Sequence, residues 1–341
     1  MRFSSFLAIG AMCMALVACG GGGSDSSTSS KTDNNPVASA CTIASTDPLL
    51  AVSLTGVVGS AQFSGGGSQL SYSNGLTGSL GLVKDGSGAA CLDSTSSNTS
   101  MATAMQVGAS GLGVSHVTVS GVNQPALLLN TNGLASNGSV SALQGNYVVL
   151  RYQQDTSGGG QTRMSYATFS IDGSGNWSMC KNTPSCSTPT ATGSFAATAG
   201  SSTAFDLSSS GLVRAKAYLM GTGANRMLVV AENDSGGGGV VTGLWVGTPQ
   251  SAWSPVAGSY VMNSSDGTQS SMSVSMQNVV VGSQNHAVTA DSPITGVATA
   301  TASNSNVNYL LSSPAGLVVT GSNEGNNFGN GPGYFSLGVK P

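Results

Sequence analysis

The stretch "MSYATFSIDGSGNWSMC", residues 164–180, decides the fold of this chain. In its first half Ala167, Phe169 and Ile171 alternate with more polar residues, and this period of two is typical of a half-buried β-strand. Asp172 and Gly173 follow, a pair that supplies the positive φ angles of tight hairpin turns. The stretch therefore predicts an antiparallel β-hairpin that ends in a cysteine.

The same alternation of apolar and polar residues, interrupted by turn pairs, continues along the rest of the chain. "SMSVSMQNV" at residues 271–279 alternates in the same way, and no long segment has the period of a helix. Antiparallel all-β structure is the prediction for everything after residue 40. Further Asn-Gly or Asp-Gly turn pairs lie at residues 74–75, 85–86, 132–133, 137–138 and 266–267.

Internal similarity indicates repeats. "SALQGNYV" at 141–148 resembles "SPVAGSYV" at 254–261, and "KDGSGAAC" at 84–91 resembles residues 171–180. Self-similarity at this spacing is typical of repeated β-units. We predict two to three tandem antiparallel β-sandwiches or small β-barrels of about six strands each, although one composite barrel would also fit. The predicted repeats are residues 41–143, 144–254 and 255–341.

Two repeats begin with a Gly-x-Tyr sequence. These are Gly145-Asn146-Tyr147 and Gly258-Ser259-Tyr260. The motif resembles the Gly-x-Trp opening of lipocalin-like barrels, with Tyr in place of Trp. This resemblance implies a barrel that carries a small apolar ligand, and beyond it the body suggests no domain family.

The first residues are typical of a secretory signal. Arg2 precedes an apolar stretch from Phe6 to Ala18, which is shorter than the roughly 20 residues that a membrane-spanning helix needs. Leu16-Val17-Ala18-Cys19 resembles the lipobox of bacterial lipoproteins. The resemblance implies that residues 1–18 are removed as a signal peptide and that the Cys19 thiol is acylated.

Residues 19–40 are then a lipidated cysteine followed by a flexible Gly/Ser-rich tether. Because several acyl chains give stable anchoring, we expect the membrane itself to be a partner. Gly20 stands where an Asp would imply retention in the inner membrane, by resemblance to enterobacterial sorting. The expected location is therefore the outer membrane, facing either the periplasm or the outside.

Six cysteines are present, and four remain once Cys13 and Cys19 are assigned to the signal and the lipid. An even number in an oxidising compartment favours disulfides. No C-x-x-C motif occurs, so we predict no metal site. Cys180 and Cys186 enclose a short loop that favours their pairing, which leaves Cys41 for Cys91.

The charge content is low. Only 7% of residues are Asp, Glu, Lys or Arg, against about 25% in ordinary globular chains. No basic cluster is present that would track phosphates, so we expect no nucleic acid partner. We also expect no cofactor.

The candidate binding residues lie near two glycine-rich segments at corresponding repeat positions. Glu232 and Asp234 open "ENDSGGGG" at 232–239, which we predict to be a loop tip, and Glu324 lies in "SNEGNNFGNGPG" at 322–333. Loops on a rigid β-scaffold commonly carry recognition. Trp245 is a further candidate as part of an aromatic contact surface for glycan, although packing in the core would also explain it.

No catalytic constellation is complete. No Gly-x-Ser-x-Gly motif accompanies the two histidines, and His116 is expected on a polar, solvated strand face. The sequence therefore predicts a non-enzymatic surface or envelope module that binds a protein or a glycan. The alternatives are an envelope glycan or peptidoglycan hydrolase using carboxylates such as Asp172 or Glu232, and the lipocalin-like carrier.

Overall fold

In the computed structural model the described residues are 48–64, 69–77, 79–84, 91–93, 106–107, 112–155, 161–234, 241–301, 307–322 and 334–340. They confirm the all-β prediction, with 24 strands in three antiparallel sheets. The signal peptide (1–18), the tether with Cys19 (19–40) and Cys41 lie outside these ranges. Short 3-10 turns occupy Thr131–Gly133, Val140–Leu143 and Gly223–Asn225.

The first sheet has eight strands in the order β5-β4-β3-β2-β1-β8-β7-β6. Two hydrogen bonds of 3.0 Å between the backbones of Thr77 and Thr118 join the segment after β3 to β7, so the sheet curls back on itself. Its strands are β1 (Leu49–Ser53), β2 (Val58–Ser64), β3 (Gln69–Ser73), β4 (Ser79–Lys84), β5 (Cys91–Asp93), β6 (Gln106–Val107), β7 (Leu112–Val119) and β8 (Val122–Asn130).

The second sheet is a closed barrel in which each strand pairs with the next and β16 pairs with β9. We call it the middle barrel. Its strands are β9 (Gly145–Asp155), β10 (Gln161–Ile171), β11 (Asn176–Lys181), β12 (Ala191–Ala197), β13 (Phe205–Ser209), β14 (Leu212–Met220), β15 (Met227–Asp234) and β16 (Val241–Pro249).

The third sheet, the C-terminal barrel, closes in the same way between β24 and β17. Its strands are β17 (Gly258–Ser264), β18 (Gln269–Val274), β19 (Asn278–Val281), β20 (Gln284–Thr289), β21 (Val297–Thr301), β22 (Val307–Ser313), β23 (Leu317–Ser322) and β24 (Tyr334–Val339).

Each sheet has eight strands rather than the six expected from the sequence. The missed strands are short or weakly patterned. β12 exposes most of its residues and β19 has four residues, so neither shows a clear alternation of apolar and polar side chains.

The three sheets share one apolar core made by their outer faces. Ring contacts cross the sheet boundaries: the ring centroids of Tyr152 and Phe335 are 5.8 Å apart, and those of Tyr166 and Tyr309 are 5.2 Å apart. Each barrel also has an inner apolar cluster of its own. The described residues accordingly belong to one compact unit.

The two barrels open with the same structural device. Tyr147, fully buried, donates its hydroxyl to the carbonyl oxygen of Leu143 at 2.9 Å, and Tyr260, also fully buried, donates to the carbonyl oxygen of Val256. In both cases the acceptor lies four residues before the tyrosine. The Gly-x-Tyr motif thus hydrogen-bonds the first strand of each barrel to the segment that precedes this strand. That segment closes one end of the barrel, which we call its base.

A cation completes each base. Arg226 Nη1 donates to the carbonyl oxygen of Gln144 at 3.0 Å, and Lys340 Nζ donates to that of Ala257 at 2.9 Å. Both acceptors directly precede the motif glycine. A Cβ atom at Gly258 would lie 2.7 Å from the Lys340 side chain, so the glycine leaves room for the cation. The two cations come from different places, before β15 and after β24, but both barrels have eight strands in the same order, so β9–β16 and β17–β24 correspond one for one.

Candidate functional site

A layer of polar side chains occupies the end of the middle barrel opposite this base. Tyr147 and Val149 of β9 belong to the inner cluster, so Arg151 and Gln153 face the interior as well, because successive residues of a strand alternate between faces. By the same alternation Lys181 of β11 and Glu232 of β15 point inward. This layer, which we call the mouth of the middle barrel, lies above an aromatic interior.

The centre of the mouth is a buried ion pair. Arg151 Nη2 lies 2.9 Å from Glu232 Oε1, and the two side chains are 10% and 8% exposed. Gln153 Nε2 donates to both carboxylate oxygens of Glu232, at 3.1 and 3.0 Å. Burial lowers the pKa of Arg151, and the adjacent Glu232 carboxylate opposes that shift. Removing either charge would leave the other buried without compensation.

Trp245 forms the floor of this pair. Its indole Nε1 donates to Glu232 Oε2 at 2.7 Å, and the Arg151 guanidinium carbon lies 4.2 Å from the centre of its ring. A guanidinium at that distance from an indole face makes a favourable cation–π contact. Phe169 meets the Trp245 ring edge-on at 6.2 Å, which connects the polar mouth to the aromatic core below.

Two further cations lie at the mouth without a carboxylate of their own. Within the described parts of the chain, neither Arg163 nor half-buried Lys181 makes a salt bridge. Burial lowers the pKa of Lys181, and the charges of Arg151 and Arg163 lower it further, while Glu232 acts in the opposite direction. At this level the layer holds three cations and one carboxylate, and two further carboxylates, Asp155 of β9 and Asp234 of β15, lie one alternation further out. The Arg151 Nε atom is buried and has no hydrogen-bond partner in the part of the chain that the structure describes.

The structure brings together part of the predicted set. Glu232 and Trp245 are in direct contact, and Asp234, two residues beyond Glu232, binds Arg214 through both carboxylate oxygens at 2.8 and 2.6 Å. Glu324 lies outside the described residues.

The predicted environment of these residues needs correction. Glu232 and Asp234 belong to β15 rather than to a loop tip, and Glu232 is 6% exposed. Trp245 is 4% exposed, so it packs in the core of the barrel instead of forming a contact surface. The cause is the length of β15, which continues to Asp234 and carries the carboxylate of Glu232 into the barrel.

The sequence did not single out Arg151, Arg163 or Lys181. The sequence signal that could have identified them is the position of each residue within its strand. Arg151 ends the apolar run "YVVL" in register with the inward-facing Tyr147, and an ionisable residue at such a position of a strand is rarely incidental.

The disulfide prediction is confirmed for one pair. Cys180 and Cys186 are bonded, with their Cα atoms 5.5 Å apart. Cys41 lies outside the described residues, and Cys91 begins β5 with a side chain that is likewise not described, so this pairing stays a prediction.

The other titratable candidates lie elsewhere. Asp172 caps the exposed β10–β11 turn, where its Oδ1 accepts from the backbone N–H groups of Ser174 and Asn176. The prediction that His116 is solvated is wrong, because it is 5% exposed on β7, which packs against the C-terminal barrel. Burial lowers the pKa of His116 to about 4, with a small opposing effect from Asp266.

Comparisons with known proteins give no relative on which to base a function: no protein-family model, no curated protein and no solved structure matches the chain. Across the ranges that the structure describes, no helix is long and apolar enough to cross a membrane. No group of three or more His, Cys, Asp or Glu side chains that could hold a metal ion occurs in these same ranges. The geometry of the mouth therefore carries the functional argument.

Proposed function

We propose that this chain is a lipid-anchored protein of the bacterial outer membrane whose body is a non-enzymatic binding module. Its recognition site is the mouth of the middle barrel, and its ligand carries a carboxylate or another anionic group. The anchor rests on the lipobox resemblance at residues 16–19. The binding site rests on the excess of cations around Glu232.

That excess is the observation on which the proposal depends. Glu232 is engaged with Arg151, Gln153 and Trp245, so it has little capacity left to neutralise Arg163 and Lys181. Arg163 is exposed, but Lys181 is half-buried, and a half-buried cation is attracted to an anion more strongly than a fully solvated one, because less water screens the pair. A ligand carboxylate at the mouth would supply the missing counter-charge.

The distribution of charge along the chain supports the same reading of the mouth as a functional region. Six of the ten Lys and Arg residues and five of the thirteen Asp and Glu residues lie in the middle barrel, between residues 145 and 249, so this barrel has a formal net charge of +1, whereas the whole chain has −3. A local positive field on a negative protein favours the approach of anionic ligands. Only four Lys or Arg residues lie in the rest of the sequence to compete for an anion.

The hydrolase alternative receives less support. Asp172 and Glu232 lie at opposite ends of the middle barrel, about eight strand residues or roughly 26 Å apart along β9. Paired carboxylates in glycoside hydrolysis are separated by roughly 5 to 10 Å. The carrier alternative for an apolar ligand is likewise less favoured, since aromatic side chains fill the interior of this barrel.

The binding proposal can be tested with a matched pair of probes. The full chain in detergent micelles is titrated with an oligogalacturonate and with its neutral methyl ester, and tryptophan fluorescence is followed because Trp245 lies beneath Arg151. We expect saturable quenching by the acid form and not by the ester. Equal responses to both probes would contradict recognition of an anion.

Two variants locate the binding. Lys181→Gln removes a cation from the mouth and should weaken binding of the acid about tenfold, which is the value of one charge-assisted hydrogen bond. Lys216→Gln is the control, because Lys216 lies on the outer face of the same barrel, where its side chain is 41% exposed and pairs with Asp206. Equal weakening by both variants would indicate a general charge effect and not a site.

The anchor has its own test. The intact mass of the membrane-extracted protein should include the diacylglycerol and acyl groups, and Cys19→Ala should lose that mass and release the protein from membranes. An unmodified Cys19 would refute the lipobox assignment without affecting the binding site.

A further inference from the structure

The C-terminal barrel differs from the middle barrel at the level of the charged layer. Tyr147 and Tyr260 begin their barrels in the same way, so residues four positions later are equivalent, and these are Arg151 and Ser264. Arg151 pairs across the barrel closure with Trp245, and Ser264 pairs with Ser336 in the same place.

The next strand extends this equivalence. Val230 pairs with Trp245 and Thr320 pairs with Ser336, so Glu232 and Ser322, each two residues further along, are equivalent as well. The arginine, tryptophan and glutamate of the middle barrel are therefore replaced by three serines, each 0% exposed. These are Ser264, Ser336 and Ser322.

Such a replacement reduces the side-chain volume at three inward-facing positions of a barrel that has the same number of strands. After allowance for the serine, the volume lost at each position is still larger than the roughly 30 Å³ that a water molecule occupies. Two larger residues offset part of the loss. Tyr334 faces Ser322 where Gly243 faces Glu232, and Asn308 takes the place of Ala215.

Asn308 and Thr320 have incomplete hydrogen bonding. Asn308 is 0% exposed and Thr320 is 1% exposed. The Asn308 Nδ2 and Oδ1 atoms and the Thr320 Oγ1 atom are buried and have no hydrogen-bond partner among the described residues. More than about nine in ten buried polar groups in proteins are hydrogen-bonded, so three such atoms in one place point to a missing partner.

The two side chains face the same space. Leu310 of β22 pairs with Thr320 of β23, and Leu310 belongs to the inner cluster of this barrel, so Asn308 and Thr320 are diagonal neighbours on the interior wall. Diagonal neighbours on one sheet face are about 7–8 Å apart, and these two side chains make no hydrogen bond to each other, so a molecule between them could contact both. The nearby Ser264 hydroxyl is already bonded to Tyr334 and Ser336.

We infer that the interior of the C-terminal barrel binds a small uncharged ligand that carries an amide beside a hydroxyl group. A primary amide offers donors and an acceptor side by side, which is the complement of an acetamido group, and Thr320 supplies a hydroxyl for the second contact. The residues proposed to contact the ligand, Asn308, Thr320 and the three serines, are all uncharged, and this favours an uncharged ligand. This site is independent of the anion site proposed for the middle barrel.

N-acetylglucosamine and glucose are a suitable pair of probes, because they differ by the acetamido group. In calorimetric titrations of the full chain we expect N-acetylglucosamine to bind at least about tenfold more tightly than glucose, which corresponds to one or two buried hydrogen bonds. Asn308→Ala introduces the residue that the middle barrel has at the same position, and it should abolish that preference. Thr320→Val keeps the shape and should weaken binding.

The stability of the variants completes the test. Asn308→Ala should retain the wild-type melting temperature or exceed it, because the amide has no partner to lose, and this separates loss of binding from misfolding. Lys181→Gln should bind N-acetylglucosamine as the wild type does, whatever its effect on anions. No saturable binding of N-acetylglucosamine, no preference over glucose, or an unaffected Asn308→Ala variant would each overturn the inference and leave a chamber that holds water only.

Discussion

Trp245 donates its indole N–H to the carboxylate of Glu232 at 2.7 Å. Arg151 contacts both residues. Its Nη2 lies 2.9 Å from Glu232 Oε1, and its guanidinium carbon lies 4.2 Å from the centre of the Trp245 ring. The three groups are mutually dependent, because the carboxylate is buried and each partner offsets part of its desolvation. Their energetic coupling can therefore be measured.

The first prediction concerns this coupling. Glu232→Leu should destabilise the protein by about 3–5 kcal/mol, because it leaves the Arg151 guanidinium buried and unpaired. The double variant Arg151→Met with Glu232→Leu should recover most of that loss, since apolar pairs of similar volume replace buried ion pairs at little cost. Urea unfolding measures both values. Equal losses in the single and double variants would show that the pair is not coupled.

The second prediction concerns the tyrosines at the barrel bases. Tyr147→Phe and Tyr260→Phe should each cost about 1 kcal/mol, because each removes the hydroxyl that satisfies a carbonyl oxygen at the base. Tyr152→Phe removes the same atom from a buried tyrosine whose hydroxyl makes no hydrogen bond in the described structure, so it should cost less. Thermal unfolding of the three variants tests this order, and equal losses would mean that the bonds at the base are unimportant.

The antiparallel fold was predictable from the sequence because its signals are local. The alternation of Ala167, Phe169 and Ile171 and the turn at Asp172 report the hairpin that β10 and β11 form. The Gly-x-Tyr motif likewise marked the first strand of both barrels. The closure of eight strands into a barrel was not predictable, because pairs such as β9 with β16 join residues about a hundred positions apart.

The mouth of the middle barrel was only partly predictable for the same reason. The glycines that follow Glu232 mark it in the sequence, but its partner Arg151 lies 81 residues earlier and only the barrel closure brings the two together. His116 shows the opposite error. Its strand resembles an exposed one in sequence, and the C-terminal barrel, which is distant in the chain, buries it.

The third prediction concerns the disulfide. Replacing both Cys180 and Cys186 by Ala should cost about 2 kcal/mol, because the bond closes a short loop, with a sequence separation of 6, and loop-closure entropy is small for short loops. The same variant tests the other predicted pair. If Cys41 and Cys91 are bonded, dithiothreitol should destabilise the double variant further, and no further change would exclude that bridge.

The fourth prediction is a pH dependence of stability that arises from His116. Burial lowers the pKa of His116 in the folded protein to about 4, below the value of about 6.5 that an exposed histidine has in the unfolded chain. Between these values the unfolded chain binds the proton and the folded protein does not, so stability falls as pH falls from 6.5 towards 4. The full effect is on the order of 3 kcal/mol and is absent above pH 7.

Urea unfolding at pH 7.5 and pH 4.5 measures this effect, with His116→Gln as the variant that cannot take up the proton. The variant should lose less stability between the two pH values than the wild type, and the difference should be a large part of that 3 kcal/mol. The carboxylates contribute equally to both proteins, so they cancel in the comparison. Identical pH profiles would show that His116 is protonated as readily in the folded state as in the unfolded chain, and that its burial on β7 does not exclude water.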